Sequence, residues 1–137
     1  MNRLIAAASL AALFAAPAFA GTAEIEITHV QASAGPVYVS LFDEAGWRSS
    51  LPLKATSLAA GEETLRARFE DLAPGVYGVR IYQDVNGNGE LDRGAMGLPK
   101  EPYGFSNDAQ VRFGPPGWRD VSFEVSGEGA QQVIRLR

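Results

Sequence analysis

Two-residue alternation of apolar and polar side chains, punctuated by glycine and proline, narrows what this chain can fold into more than any other feature. In Thr22–Val30, Ala23, Ile25 and Ile27 fall on one face and Glu24 and Glu26 on the other, the period of a half-buried strand. A turn at Ala32–Pro36 leads to Val37, Val39 and Leu41, which alternate with Tyr38, Ser40 and Phe42. That second strand is apolar on both faces and is expected to be central or covered. Leu65, Ala67 and Phe69 then alternate with Arg66, Arg68 and Glu70. Asp71–Gly75 is a tight turn, with proline fixing φ and glycine accepting the strained position. Tyr77, Val79 and Ile81 share a face beyond it, and the two runs read as an antiparallel hairpin.

Weaker patterns place an edge strand at Lys54–Leu58, a short strand at Ala109–Phe113, another at Val121–Val125 and a last one with Ile134 and Leu136 inward. Asp43–Ser50 reads as a loop carrying Trp47. Pro99 and Pro102 keep any long helix out of Leu91–Asn107. The expected fold is all-β, an antiparallel β-sandwich of about seven strands, with a small barrel as the competitor.

The first twenty residues are set apart. Met1-Asn2-Arg3 is a short positive start, Leu4–Ala16 is apolar apart from Ser9, and Pro17 precedes Ala18-Phe19-Ala20, the form of a signal peptide cleaved after Ala20. Residues 21–137 are expected to form a single domain, soluble after cleavage and periplasmic or secreted. No integral membrane segment is expected in the mature chain. With no cysteine in the sequence, there is no lipid-modified thiol, disulfide, thiolate nucleophile or thiolate metal ligand. Removal of Arg3 takes the basic count from 12 to 11 against 16 acids, a net charge of −5. That balance argues against nucleic-acid or anionic-lipid partners, both of which need concentrated positive charge.

One loop has the spacing of a metal site. From Asp84, oxygen-bearing side chains recur at Asn86 and Asn88, Gly89 follows, the Glu90 carbonyl is available, and Asp92 completes the run. This is how an EF-hand calcium loop begins. The twelfth position holds Ala95 instead of a bidentate glutamate, and a strand feeds the loop instead of a helix. Glu101, Asp108 or Asp43 are the carboxylates that would have to complete a weak calcium (Ca2+) site, of order 10⁻⁴–10⁻³ M. The alternative is a solvated turn with no ion, because Asn-Gly pairs tolerate positive φ.

Phe69-Glu70-Asp71-Leu72-Ala73-Pro74-Gly75-Val76-Tyr77-Gly78-Val79 resembles a hairpin motif of transthyretin-like and collagen-adhesin B-type sandwich modules. Followed by Gln83–Asp92 and Met96–Asn107, and extended through Phe113-Gly114-Pro115-Pro116 to the strand with Phe123, the chain resembles the DUF2141 family of exported bacterial proteins. The resemblance implies an immunoglobulin- or transthyretin-like sandwich and an exported protein. It implies no activity, substrate or ligand.

Tyr103, Phe105, Asn107 and Trp118 are read two ways: as the rim of a recognition surface, or as anchors pinning a long loop over the sandwich. Trp47 and Trp118 read either as a carbohydrate platform or, more commonly for single loop tryptophans, as covers for a core edge. Arg66, Arg68 and Arg80 are expected to face solvent, balanced by neighbouring acids. His29 is the single histidine, and there is no nucleophile elbow or phosphate-binding glycine loop. The residues therefore favour a non-enzymatic binding or accessory module stabilised by calcium, with an envelope protein or small ligand as partner. A structural component of an envelope or surface assembly, joined through sheet edges, is the alternative.

Overall fold

The alternating segments pair into two sheets that bury their apolar faces against each other. A computed structural model describes residues 20–137; the expected signal peptide, residues 1–20, lies outside them apart from Ala20. The elements are β1 (Gly21–Thr28), β2 (Val37–Phe42), α1 (Glu44–Ser49), β3 (Lys54–Leu58), β4 (Leu65–Leu72) and β5 (Gly75–Gln83). They continue with β6 (Tyr103–Phe105), a 3₁₀ turn at Ser106–Asp108, α2 (Trp118–Val121), β7 (Phe123–Val125) and β8 (Ala130–Arg135). One sheet has the order β4-β1-β8, the other β3-β2-β5-β6, with β7 also paired to β5. The core between them holds the residues that the alternation singles out: Ile25 and Ile27, Val39 and Leu41, Ala67 and Phe69, Val79 and Ile81, and Ile134 with Leu136. β3 has the expected bounds and the expected place at a sheet edge.

Pairing departs from expectation in two respects. β4 and β5 do not form a hairpin: β4 pairs with β1, and β5 pairs with β2 in the opposite sheet. The Asp71–Gly75 turn carries the chain around a corner between sheets, and the Tyr77 hydroxyl donates back to the Ala73 carbonyl at 2.5 Å, the bond that secures such corners in sandwiches. Charge helps set the β4 partner. On the outer face Arg66 meets Glu26 at 3.2 Å and Arg68 meets Glu24 at 3.3 Å across the strands, as cross-strand pairing favours. Second, β8 runs parallel to β1, with Ala23 opposite Ala130 and Ile27 opposite Ile134. The sandwich is therefore mixed instead of antiparallel throughout.

The five-stranded sheet is also covered on its outer face. Asp43–Ser50 is not a loop: Asp43 caps α1 by accepting from the Gly46 amide at 2.7 Å, and Ser50 closes it in the left-handed region at φ 58°. Six residues are too few to display a helical period. Val121 belongs to α2, which shortens the predicted strand to Phe123–Val125. Ala109–Phe113 is not a strand either, because Tyr103–Phe105 takes the place beside β5. Glycine permits two close approaches. A Cβ on Gly78 would lie 2.9 Å from Trp118 Cζ3, and one on Gly104 would lie 2.6 Å from Ile134 Cγ2.

A valine at position 104 must push against Ile134 and the Arg135 carbonyl. G104V is expected to lose about 1–3 kcal/mol by overpacking, read from the denaturant midpoint at unchanged m-value. A second prediction concerns the chain end, where Arg137 grips Asp108 with two hydrogen bonds of 2.8 Å. That fork holds the Asp108 carboxyl below the usual carboxylate range. The stabilisation is complete above the unfolded pKa and lost as pH falls through the lower folded value. D108N should lower Tm at neutral pH, and the gap to wild type should close as melts are repeated toward strongly acidic pH.

Candidate functional site

β5 and β6 build the floor of a groove through Arg80, Tyr103 and Phe105, beside the outer face of β2. Register sets Ser40 opposite Arg80 and Arg80 opposite Phe105, with Phe42 opposite Gly78 and Tyr82 opposite Tyr103. Trp47, delivered by α1, is the hub. Its ring lies 5.4 Å from Phe42, 6.1 Å from Phe105 and 6.2 Å from Trp118. The Arg80 guanidinium packs on this cluster, 4.9 Å from the Phe42 centroid and 4.7 Å from that of Trp47, within cation–π range. It forms no ion pair or hydrogen bond with any other described residue. The expectation that Arg80 faces solvent among balancing acids is therefore corrected; Arg66 and Arg68 do conform to it.

Two irregular segments wall the groove. Residues 92–100 fold back on themselves: Lys100 N–H donates to the Asp92 carbonyl at 2.8 Å, Gly94 N–H to Leu98 at 2.8 Å, and the Arg93 guanidinium to Gly97 at 3.0 Å. This lip holds out Met96, 88% exposed, and Leu98. Val111–Pro115 forms the facing wall, where Phe113 is fully exposed. The space between is about 500 Å³, lined by Arg80, Arg93 and Arg112 and by no carboxylate. Burial lowers the Arg80 pKa, and the nearby Arg93 charge lowers it further. Arg93, Arg112 and the exposed apolar lip carry no functional signal in the sequence reading, and Arg80 reads there only as solvent-facing. The available signal was a run of apolar residues, Ala95-Met96-Gly97-Leu98, in a segment with no strand or helix to bury it.

The acidic loop lies at the foot of the lip. Buried Asp84 accepts from the Asn88 amide at 3.2 Å and the Gly89 amide at 2.7 Å. Glu101, also buried, accepts from Val85 at 3.0 Å and from Asp92 at 3.1 Å. Asn86 and Asn88 both donate side-chain N–H groups to Asp92, and the Asn88 carbonyl oxygen accepts from Glu90 N–H. Hydrogen bonds thus link Asp84, Asn86, Asn88, Asp92 and Glu101 in one loop, which Glu90 joins through its backbone N–H. Asp43 is at the far end of β2, capping α1, and Asp108 is held by Arg137, so neither reaches this loop. Among the described residues no three His, Cys, Asp or Glu side chains are grouped so as to hold a metal. Tyr82, whose hydroxyl donates to Gly89 at 3.1 Å, has its pKa raised by burial, then by Tyr38 and the loop carboxylates.

Of the four residues read as a recognition rim, Phe105 is buried in the Trp47 cluster and Tyr103 and Trp118 are half-buried. Asn107 is committed to structure: it accepts φ 57° and donates to the Asp120 and Ser122 carbonyls at 3.1 and 2.8 Å. Anchoring describes Phe105 and Asn107; only Tyr103 lines the groove together with Phe105. His29 is exposed at the end of β1, hydrogen-bonded to Thr28. Among the described residues no helix is long and apolar enough to cross a membrane.

These features define a β-sandwich that carries a lipped, arginine-containing groove on one covered sheet. The chain belongs to the family described as uncharacterised proteins conserved in bacteria, DUF2141, whose model matches residues 25–133. No curated protein and no solved structure matches it.

Glu101 fixes the foot of the lip by accepting backbone N–H groups from both sides of the loop. E101A strands those amides and is expected to cost about 1–3 kcal/mol, with E101Q recovering part of it, both read by chemical denaturation.

Proposed function

We propose that this protein is an exported, non-enzymatic binding module of the bacterial cell envelope, periplasmic or secreted, that holds a small ligand in the groove. The observation that carries the reading is the combination at one place of an aromatic floor, exposed Met96, Leu98 and Phe113, and three arginines around about 500 Å³. Ligand clefts have this size and this mainly apolar lining with a few polar groups. The exposed apolar tips are otherwise unfavourable in water. The absence of Asp, Glu and His from the groove lining favours retention over proton-transfer chemistry. The Phe69–Val79 corner supports kinship with transthyretin-like sandwiches.

The test uses Nile red, a neutral apolar dye. It should bind with a blue-shifted emission, and L98D and F113D should each weaken it by about tenfold or more, about 1.4 kcal/mol or more, at unchanged Tm. Binding that ignores both substitutions sinks the groove reading.

Calcium enters this reading as a weak clip on the Asp84–Asp92 loop. What supports it is the alternation of oxygen-bearing side chains and their hydrogen-bonded convergence on Asp92. Asn86 and Asn88 must turn amide oxygens inward to serve as ligands, which fits an affinity on the order of 10⁻⁴–10⁻³ M. Titration calorimetry should show calcium heat, and Tm should rise at millimolar ion; a flat titration with an unmoved Tm removes the clip.

A further inference from the structure

Among the described residues, Arg80 is the guanidinium whose position a structural role explains least. Arg48, Arg66, Arg68 and Arg137 each meet a carboxylate. Arg80 instead lies half-buried on two aromatic rings with another arginine close by. A cation removed from water is costly unless paired, and here the neighbouring charge of Arg93 is of the same sign. Stacking on Phe42 and Trp47 offsets part of that cost and holds the guanidinium plane fixed. Its N–H donors are left to whatever enters the groove, and a fixed guanidinium fork matches an oxyanion bidentately.

We propose that the groove binds a small amphipathic anion, a carboxylate-headed molecule with an apolar body, whose head pairs with Arg80 and whose body lies between Met96, Leu98 and Phe113. This rests on the groove being the binding site and adds the ligand's chemistry. Charge complementarity selects the head: Arg93 and Arg112 complete a positive lining without a carboxylate, in a chain whose formal charge is −4. The apolar lip selects the body, since a polyanion such as a nucleotide would leave Met96, Leu98 and Phe113 unused. The enclosed volume fits a small molecule.

The experiment compares dodecanoate with dodecanol, both below their critical aggregation concentrations, by displacement of Nile red from the full mature chain. Dodecanoate is expected to bind at least about tenfold tighter, equivalent to about 1.4 kcal/mol. R80Q should bring the dodecanoate-to-dodecanol affinity ratio down toward one. R80K, which keeps the charge but loses the planar fork, should restore part of it. Because R80Q also removes a stacked side chain, R112Q serves as a second variant that leaves the floor intact and should reduce the preference by a smaller factor. Equal affinities for acid and alcohol, with displacement by both, overturn the anion assignment while the groove reading stands. Displacement by neither, together with no dye binding, overturns the groove reading itself. A preference that persists undiminished in folded R80Q overturns the role of Arg80. Sedimentation with phosphatidylglycerol vesicles in the absence of any dodecanoate binding transfers the chemistry to a lipid surface and overturns a free small ligand.

Discussion

The five-stranded sheet must be covered on both faces, and most of the molecule follows from that constraint. β2 carries Val37, Val39 and Leu41 on one side and Tyr38 and Phe42 on the other. The three-stranded sheet covers the first set. The second is covered from within the chain: α1 lays Trp47 across Phe42, β6 adds Phe105, and α2 brings Val121 and Trp118 onto the space left by Gly78. Burial of large aromatic rings offsets the ordering of these short elements, none of which is long enough to be stable alone. The buried Ser106 hydroxyl then ties the layers, accepting from Val79 N–H at 2.9 Å and donating to the Val121 carbonyl at 2.5 Å.

That second layer also explains why the sequence disclosed the sandwich more readily than the groove. Alternation reports which residues share a face, and it placed Ile25, Ala67, Val79 and Ile134 in the core. It does not report what lies against a face. Arg80 reads as outward, and outward ordinarily means solvent; only the arrival of Trp47 from α1 makes it half-buried. Likewise, short turn length suggested that β4 and β5 pair, yet a corner and a hairpin differ by where the next strand is accepted, which local residues do not encode. The Asp84–Asp92 spacing marks a built loop, and Glu101 is among its carboxylate partners. Asp43 and Asp108 look equivalent to Glu101 in sequence, because only topology separates carboxylates distant along the chain.

Loop and lip form one mechanical unit. Glu101 and Asp92 tie together the two ends of the segment from which the lip projects. The apolar tips at Met96 and Leu98 are thus held out on a braced support instead of collapsing onto the sheet, where Tyr103 and Phe105 would accept them. A wall kept away from an apolar floor costs free energy in water and keeps the space between them available, a form of preorganisation.

The parallel pairing of β1 with β8 has a consequence for how the chain acquires its shape. Ala23 and Ala130 lie side by side although 107 positions separate them, and β1 is the middle strand of its sheet. Its sheet cannot close until nearly all the described chain is present. Such long-range closure raises contact order and slows folding to the millisecond-to-second range of all-β domains. β1 can pair with β4 once Leu72 is present, but its other edge stays open until β8, the last strand, arrives.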